Sequence, residues 1–277
     1  MSKLLFFDID GTLINFDGEL PQSAVKALKA AQANGHKIFI CTGRSKCQIE
    51  ERLLDIGFDG IVAAAGAYTE YHGNVVHTEY MKPSTLKKLL DFFDKNNMVY
   101  MLQCSDKIIS STESLEVMRR TFMEKLKTKP KSIDKIFAGQ LEDNDLSSHY
   151  DVYDNAEKAC YYLADIPFDE IEQTLADDFD VTATSFKDSN DSSGEISQKD
   201  VTKAYGMQKI IDYLDSSAEN TVAFGDGPND FEMLEFANIG VAMGNASPEL
   251  KKKADMVTTK ITEDGIYNGM KELGLIG

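Results

Sequence analysis

Three short, mainly apolar runs near the N-terminus, Leu4–Phe7, Lys37–Thr42 and Gly60–Ala63, set the tightest limit on how this chain can fold. Each lacks the polar alternation of a strand with one wet face, so each must be covered on both sides. Between them lie stretches of helical period. One runs from about Ser23 to Asn34, places Val25, Leu28 and Ala31 on one side, and is stopped by Gly35. A second helix is expected over Ser45–Ile56. Strand, helix, strand, helix, strand is the order of a parallel sheet with helices on its faces. The predicted fold class is therefore α/β, with strands at Lys3–Asp8, Lys37–Thr42 and Gly60–Ala63.

The pattern changes after Tyr80. Pro83 and Ser84 open a helix carrying Leu86, Leu89, Leu90 and Phe93. Strands are expected at Met98–Gln103, Lys107–Ser110, Ala159–Ala164 and Asp180–Ser185, with a polar loop at Lys187–Ser193. The alternation returns near Gln198, with a helix that Asp200 caps and that runs to Leu214, then a strand at Thr221–Gly225. A helix at Asp230–Ala237 and strands at Ile239–Met243 and Met256–Thr259 complete it. A chain of 277 residues can hold two cores. The division expected is a discontinuous first domain of residues 1–82 and 195–277 and an inserted α/β domain of residues 83–194. Hinges are expected near Met81–Pro83 and Lys187–Ser193, because a reacting site must exclude water and then admit it.

Composition narrows the function. The chain is 42% hydrophobic and 27% charged, as expected of a folded soluble protein. Its net charge is −17, and residues 140–200 hold 17 acidic and 3 basic side chains. Such a field repels nucleic-acid backbones and anionic membranes, so neither is expected as a partner, and no protein partner is implied. The acidic stretch reads as a solvated face. The brief apolar start is interrupted by Asp8 and Asp10, well short of a signal segment or membrane span, and a cytoplasmic location is expected. Cys41, Cys47, Cys104 and Cys160 show no zinc or CxxC spacing, which fits reduced thiols.

The chemistry gathers where strands end. Asp8 and Asp10 follow Leu4–Phe7, and residues two apart in extended chain point the same way, so both carboxylates can face one site while Gly11 lets the chain turn. One can attack phosphorus and hold a hard cation; the other can protonate the departing oxygen. Asp and Gly also occur in ordinary strand-ending turns. Thr42 and Gly43 end the second strand, and Ser45 and Gln48 after them have the spacing of a capping box. The hydroxyl and nearby N–H groups suit phosphate oxygens. A later strand ends in Gly225 and Asp226, with Asn229 and Asp230 behind it. In an open α/β sheet such exits share one crevice, so Asp226 can complete a magnesium site with Asp8. Asn229 and Asp230 can bind substrate oxygen or orient water, though Asp, Pro and Asn are also common at helix starts. Lys203 falls in a first helical turn, where a cation opposes the macrodipole; neutralising a bound phosphate would account for it, as would simple exposure to solvent.

Asp8-x-Asp10-Gly11-Thr12, then Thr42-Gly43-Arg44, then Lys203, then Gly225-Asp226 with Asn229 and Asp230 match in order and spacing the four motifs of a known family. On these residues the chain resembles the haloacid dehalogenase-like (HAD) superfamily of phosphohydrolases, specifically its Cof-like sugar-phosphatase branch. The resemblance implies a Rossmann-like core with a large α/β cap inserted between the second and third motifs. It implies that Asp8 is the nucleophile forming an aspartyl-phosphate and that Asp10 protonates the leaving alcohol and then activates water. Mg2+ would be held by the Asp8 and Asp226 side chains and the Asp10 carbonyl, with Asp230 orienting them from behind. Phosphate would be bound by Asp10, Thr42, Gly43, Lys203 and Asn229. One departure stands out: where the family often has Asn-Gly-Ala after the third strand, this chain has Ala65, Gly66 and Ala67. The activity implied is magnesium-dependent hydrolysis of phosphomonoesters of small metabolites, with sugar phosphates as the substrate class the branch implies and the cap selecting the substrate. The alternatives are a phosphomutase or phosphotransferase of the same fold and a non-catalytic phosphometabolite sensor.

Overall fold

The computed structural model describes residues 2–111, 114–117, 120, 141–143, 155–183 and 193–277. The chain forms two compact units. The first comprises Met1–Gly43, Ile49–Thr78 and Thr202–Gly277, and the second Arg44–Gln48 and Glu79–Val201.

The first unit begins with β1 (Leu4–Phe7), α1 (Gln22–Ala33), β2 (Lys37–Cys41), α2 (Glu51–Leu54) and β3 (Gly60–Ala63). β1, β2 and β3 are parallel, with Leu4 beside Lys37 and Phe39 beside Gly60. An antiparallel hairpin of β4 (Tyr68–Tyr71) and β5 (Asn74–Thr78) then extends the edge. The sequence reading has no strands there. Its turn is carried by His72 and Gly73, both at positive φ (48° and 75°), the backbone that two-residue hairpin turns demand.

The second unit adds α3 (Pro83–Lys95), β6 (Val99–Cys104), β7 (Ile108–Ser110), β8 (Leu141–Asp143), β9 (Ala156–Leu163), α4 (Phe168–Leu175), β10 (Phe179–Ala183) and β11 (Gly194–Gln198). Its sheet has the order β10-β11-β9-β6-β7-β8 and is antiparallel except at β7 and β8. Leu86, Leu89, Leu90 and Phe93 of α3 and Ile171 of α4 pack with Tyr100, Leu102, Ala159 and Tyr161 of the sheet. Because β11 pairs with β9 and β10, residues 195–201 belong to this unit, and the expected breaks after 82 and 194 fall instead after 78 and 201. The loop expected at Lys187–Ser193, a hinge in the sequence reading, lies outside the described residues apart from Ser193.

Back in the first unit, the chain forms α5 (Lys203–Tyr213), β12 (Thr221–Gly225), α6 (Phe231–Phe236), β13 (Ile239–Ala242), α7 (Pro248–Lys253), β14 (Met256–Val257) and α8 (Gly265–Glu272). The sheet order is β14-β13-β12-β1-β2-β3-β4-β5. Its two faces are both apolar and both covered. Leu5, Phe7, Ile38 and Ile40 pack with Ala27 and Leu28 of α1 and Met270 of α8, whereas Phe6, Phe39 and Cys41 pack with Met207 and Ile210 of α5 and Met233 of α6. Phe6 stacks on Phe39 at 4.8 Å and Phe7 on Phe224 at 5.0 Å.

Two local expectations are corrected. The helix expected over Ser45–Ile56 is a 3-10 turn at Lys46–Gln48 and a separate α2, divided by extended backbone at Glu50 (φ −65°, ψ 137°). Gln48 bonds Gln103 of β6 at 2.9 Å, so a tertiary contact holds the turn where local propensity favours a helix. Only half of the expected capping box forms: the Ser45 N–H donates to Gln48 Oε1 at 3.0 Å, but the Ser45 hydroxyl also donates to that oxygen. The helix carrying Lys203 is capped by Thr202, whose hydroxyl accepts from the Tyr205 N–H, not by Asp200, which sits at φ 63° and donates its N–H to Asp180.

Candidate active site

From β1 the chain builds outward to β2 and β3 on one side and, later, to β12, β13 and β14 on the other. The carboxyl ends of β1 and β12 therefore flank a topological switch point, where an open sheet leaves a crevice. Phe7 pairs with Phe224 and with Ile40, so the residues that follow, Asp8, Asp226 and Thr42, leave the sheet side by side. The Asp8 N–H donates to the Phe224 carbonyl at 3.0 Å, and the Thr42 N–H to the Val62 carbonyl at 2.9 Å.

The centre is a buried ion cluster. Lys203, the first residue of α5 and 1% exposed, reaches Asp8 Oδ1 and Asp230 Oδ1, both at 2.6 Å. The other Asp230 oxygen accepts the N–H groups of Asp226 and Gly227, each at 2.9 Å. Asp230 is itself fully buried, in the 3-10 turn Pro228–Asp230 after β12. Gly225 makes this approach possible: a Cβ there would stand 2.5 Å from the Asp230 carboxyl carbon. Gly11 does the same for Asp226. It sits at φ +85°, and a Cβ on it would fall 2.1 Å from Asp226 Oδ2.

Two contacts absent from the sequence reading fix Asp226. The Thr12 hydroxyl donates to Oδ1 at 3.0 Å, and the Asn245 amide donates to Oδ2 at 3.2 Å and to the Gly11 carbonyl at 2.9 Å. Asn245 is held in turn by the Ile261 N–H, which donates to its carbonyl oxygen at 3.0 Å. It follows the exit of β13, one strand further out, and that position was the available signal.

Burial raises the Asp8 carboxyl well above its usual range, and the charges of Asp230, Asp10 and Asp226 add to this while Lys203 opposes it. Burial and the neighbouring Asp230 push Asp226 up to about 7, with the Thr12 hydrogen bond working the other way. Burial works against the Lys203 charge, but the Asp230 and Asp8 carboxylates outweigh it and hold the ammonium above its ordinary value. Asp10 lies close enough to raise both Asp8 and Asp226.

Oxygens of Asp8, Asp226 and Asp230 lie within 4.8 Å of one another. Buried hard oxygens with mutually raised carboxyls suit a hard divalent ion such as Mg2+. Asp230 receives three donors, the Lys203 ammonium and two backbone N–H groups, against two neutral side-chain donors on Asp226, from Thr12 and Asn245, and the ammonium on Asp8 Oδ1. The structure thus brings Asp8, Asp226, Asp230 and Lys203 into direct or bridged contact and sets Asp10 beside them. Thr42 and Gly43 stand at the exit of the adjacent strand β2, and Asn229 in the 3-10 turn that delivers Asp230. At Ala65 and Gly66, where the family often has Asn-Gly, φ is positive (54° and 106°), as it is at Ala64 before them (48°), a backbone that Asn tolerates better than Ala.

A family model described as haloacid dehalogenase-like hydrolase matches residues 5–270. YkrA of Bacillus subtilis (strain 168), which carries a phosphatase name, is 32% identical over 279 residues, covering 99% of this chain and 99% of its own. Phosphatase YwpJ of the same organism is 26% identical, covering 98% and 99%. A solved HAD subclass IIB sugar phosphatase is 30% identical and superposes with a TM-score of 0.80 over 99% of this chain and 100% of its own.

Proposed function

Because this chain belongs to the haloacid dehalogenase-like hydrolases, we propose that it is a Mg2+-dependent enzyme releasing inorganic phosphate from small phosphorylated metabolites through an aspartyl-phosphate on Asp8. The class, a phosphoric monoester hydrolase, follows from the family and its phosphatase relatives. One observation carries the finer reading: at the sheet's switch point a buried lysine bridges Asp8 and Asp230, and Asp230 in turn holds the backbone of Asp226.

In this reading Asp8 attacks phosphorus in line, and Asp10, two residues on, gives its proton to the departing oxygen. Asp10 then takes a proton from the water that attacks the aspartyl-phosphate, and phosphate leaves with Asp8 restored. Lys203 stays charged and offsets charge on the transferring group, the main demand of phosphoryl transfer. Thr42, Gly43 and Asn229 bind phosphate oxygens. Asp8, Asp226 and the Asp10 carbonyl would hold Mg2+, which supplies further charge neutralisation when bound. Asp230 keeps Lys203 and Asp226 in place. The second unit acts as the cap that selects the substrate. Sugar phosphates are the substrate class favoured, by likeness to the subclass IIB sugar phosphatase. The four cysteines are free, and among the described residues no helix is long and apolar enough to cross a membrane; both features support a cytoplasmic site of action.

The test is phosphate release from 4-nitrophenyl phosphate with and without Mg2+, for the wild type and Asp8→Asn. Release that requires both the metal and Asp8 is expected. Undiminished release by a folded Asp8→Asn variant would overturn the assignment of the nucleophile. Label passing to a second sugar instead of water would make the enzyme a mutase.

A further inference from the structure

Asp226 is held from three sides within the first unit. The Thr12 hydroxyl donates to Oδ1 at 3.0 Å and the Asn245 amide to Oδ2 at 3.2 Å, so each carboxylate oxygen carries one neutral donor. Gly11 closes the third side, where a Cβ would lie 2.1 Å from Oδ2 and 2.6 Å from Oδ1. A carboxylate so held cannot turn without breaking a hydrogen bond or striking backbone.

The holders are themselves anchored. Thr12 is fully buried, and its N–H donates to the Ile9 carbonyl at 3.3 Å. Asn245 engages both ends of its side chain: the amide also donates to the Gly11 carbonyl at 2.9 Å, and the oxygen accepts the Ile261 N–H at 3.0 Å. Gly244 before it donates its N–H to the Thr259 carbonyl at 3.0 Å and receives the Lys251 ammonium on its own carbonyl at 2.7 Å. The Ala246 N–H after it donates to Met243 at 2.9 Å. An asparagine that only ends a strand bonds its own turn. The side chain of Asn245 bonds three other segments instead, and two of those bonds meet at the Asp226 carboxylate and the Gly11 loop beside it.

Rigidity of this kind discriminates among hard cations. Mg2+ demands near-ideal octahedral geometry at about 2.0–2.1 Å, whereas Ca2+ takes about 6–8 oxygens at about 2.3–2.6 Å and often engages a carboxylate through both oxygens. A carboxylate that can neither turn nor withdraw serves the smaller ion and resists the adjustment the larger one needs. We propose that Asn245 and Thr12 are positioning residues that select Mg2+ against Ca2+ by fixing Asp226. The proposal rests on the reading of Asp8 and Asp226 as metal ligands and adds the residues that make their site selective.

The experiment titrates Mg2+ and Ca2+ separately into the metal-free protein and follows the rise in Tm that binding produces. It compares the wild type with Asn245→Ala and with Thr12→Val, which removes the donor and keeps the shape. Asp226→Asn supplies the background from ions gathered by the acidic surface. Losing a group that orients a metal ligand costs about 10–100-fold in affinity, so Mg2+ should bind about tenfold more weakly in each variant. Ca2+ affinity should change by less than about threefold, moving the ratio of the two dissociation constants at least about threefold toward Ca2+. A merely structural role would weaken both ions alike. Equal losses, or no change for either ion, would overturn the proposal. If neither ion raises the Tm of the wild type above the Asp226→Asn background, the metal reading fails and the proposal with it. Thr12→Val leaves the Asn245 bonds to Gly11 and Ile261 in place, so its ratios decide the question if Asn245→Ala does not fold. As a second readout, the Ca2+ concentration that halves Mg2+-supported release of phosphate from 4-nitrophenyl phosphate should fall in both variants by about the same factor as the ratio, and an unchanged value would refute the selection.

Discussion

Replacing Asp230 by Asn removes one charge and one acceptor from a fully buried position, and the geometry predicts what this costs. Asp230 Oδ1 receives the Lys203 ammonium at 2.6 Å, while Oδ2 receives two backbone N–H groups at 2.9 Å. Asparagine has only one oxygen. If that oxygen keeps the backbone donors, the amide N–H groups face the ammonium, donor against donor. If it keeps Lys203, they face the Asp226 and Gly227 N–H groups. Removing one partner of a buried ion pair costs about 3–5 kcal/mol, and because Lys203 retains Asp8, the lower end of about 3 kcal/mol applies. For a unit of this size each kcal/mol lowers Tm by roughly 2–4 °C, so the expected fall is about 6–12 °C. Scanning calorimetry of wild type, Asp230→Asn, Lys203→Met and the double variant closes a mutant cycle. Coupling of at least about 1 kcal/mol between the two positions is expected. A fall of under about 2 °C for Asp230→Asn, or strictly additive effects, would show that the cluster is not the tightly wired unit drawn here.

Three further outcomes are expected. Gly11→Ala places a methyl group 2.1 Å from Asp226 Oδ2 on backbone at φ +85°, so it should reduce aryl phosphatase kcat/KM by about 100-fold or more; near-normal activity would show that Asp226 need not stay where it is. Ala65→Gly relieves a left-handed alanine at φ 54° and should raise stability by about 0.5–1 kcal/mol in denaturant titration; a loss of stability would mean that the alanine methyl packs usefully. Burial, with Asp106 adding to it, lifts Glu157 from 4.5 to about 8 in the folded protein. Between those values the unfolded chain has released a proton that the folded chain keeps, so stability is full below about pH 4.5 and is lost as pH rises toward 8. The slope is at most about 1.4 kcal/mol per pH unit, a total on the order of 5 kcal/mol. Denaturant titrations should therefore show Glu157→Gln gaining on the wild type as pH rises, and parallel profiles would refute the shift.

The fold was legible where a segment's surroundings are uniform. β1, β2, β3 and β12 are apolar on both faces, because helices cover both, and their runs could be read from hydropathy alone. The hairpin of β4 and β5 was not, since it lies at the sheet edge and its residues are mixed: Val75 is exposed and Glu70 buried. β9 was entered three residues late, because buried Glu157 and Lys158 look like surface to a hydropathy reading. The helix expected from Ser45 failed for a different reason. Its first turn is held by Gln103, and a partner 55 residues away leaves no trace in local period.

The same division explains the site. Parallel strands deliver their carboxyl ends to one edge, so any polar motif closing such a strand is brought near the others whatever the intervening length. That is why Asp8 and Asp226, 218 positions apart in a chain of 277, could be paired from sequence. Lys203 was reachable through an anomaly, a cation where the helix dipole disfavours one. Asn245 presented no anomaly. An asparagine after a strand is ordinary punctuation, and its value comes from meeting the Gly11 carbonyl and Asp226 Oδ2 together, a coincidence made by the turn of the Gly11 loop. Thr12 was visible as part of a motif, but its task was not, since the hydroxyl could equally have served its own turn. Residues that carry charge into the crevice are therefore readable from the strand ends, whereas those that hold the charges still are set by close packing between loops. The second group decides how far Asp226 can move, and hence whether the first group works at all.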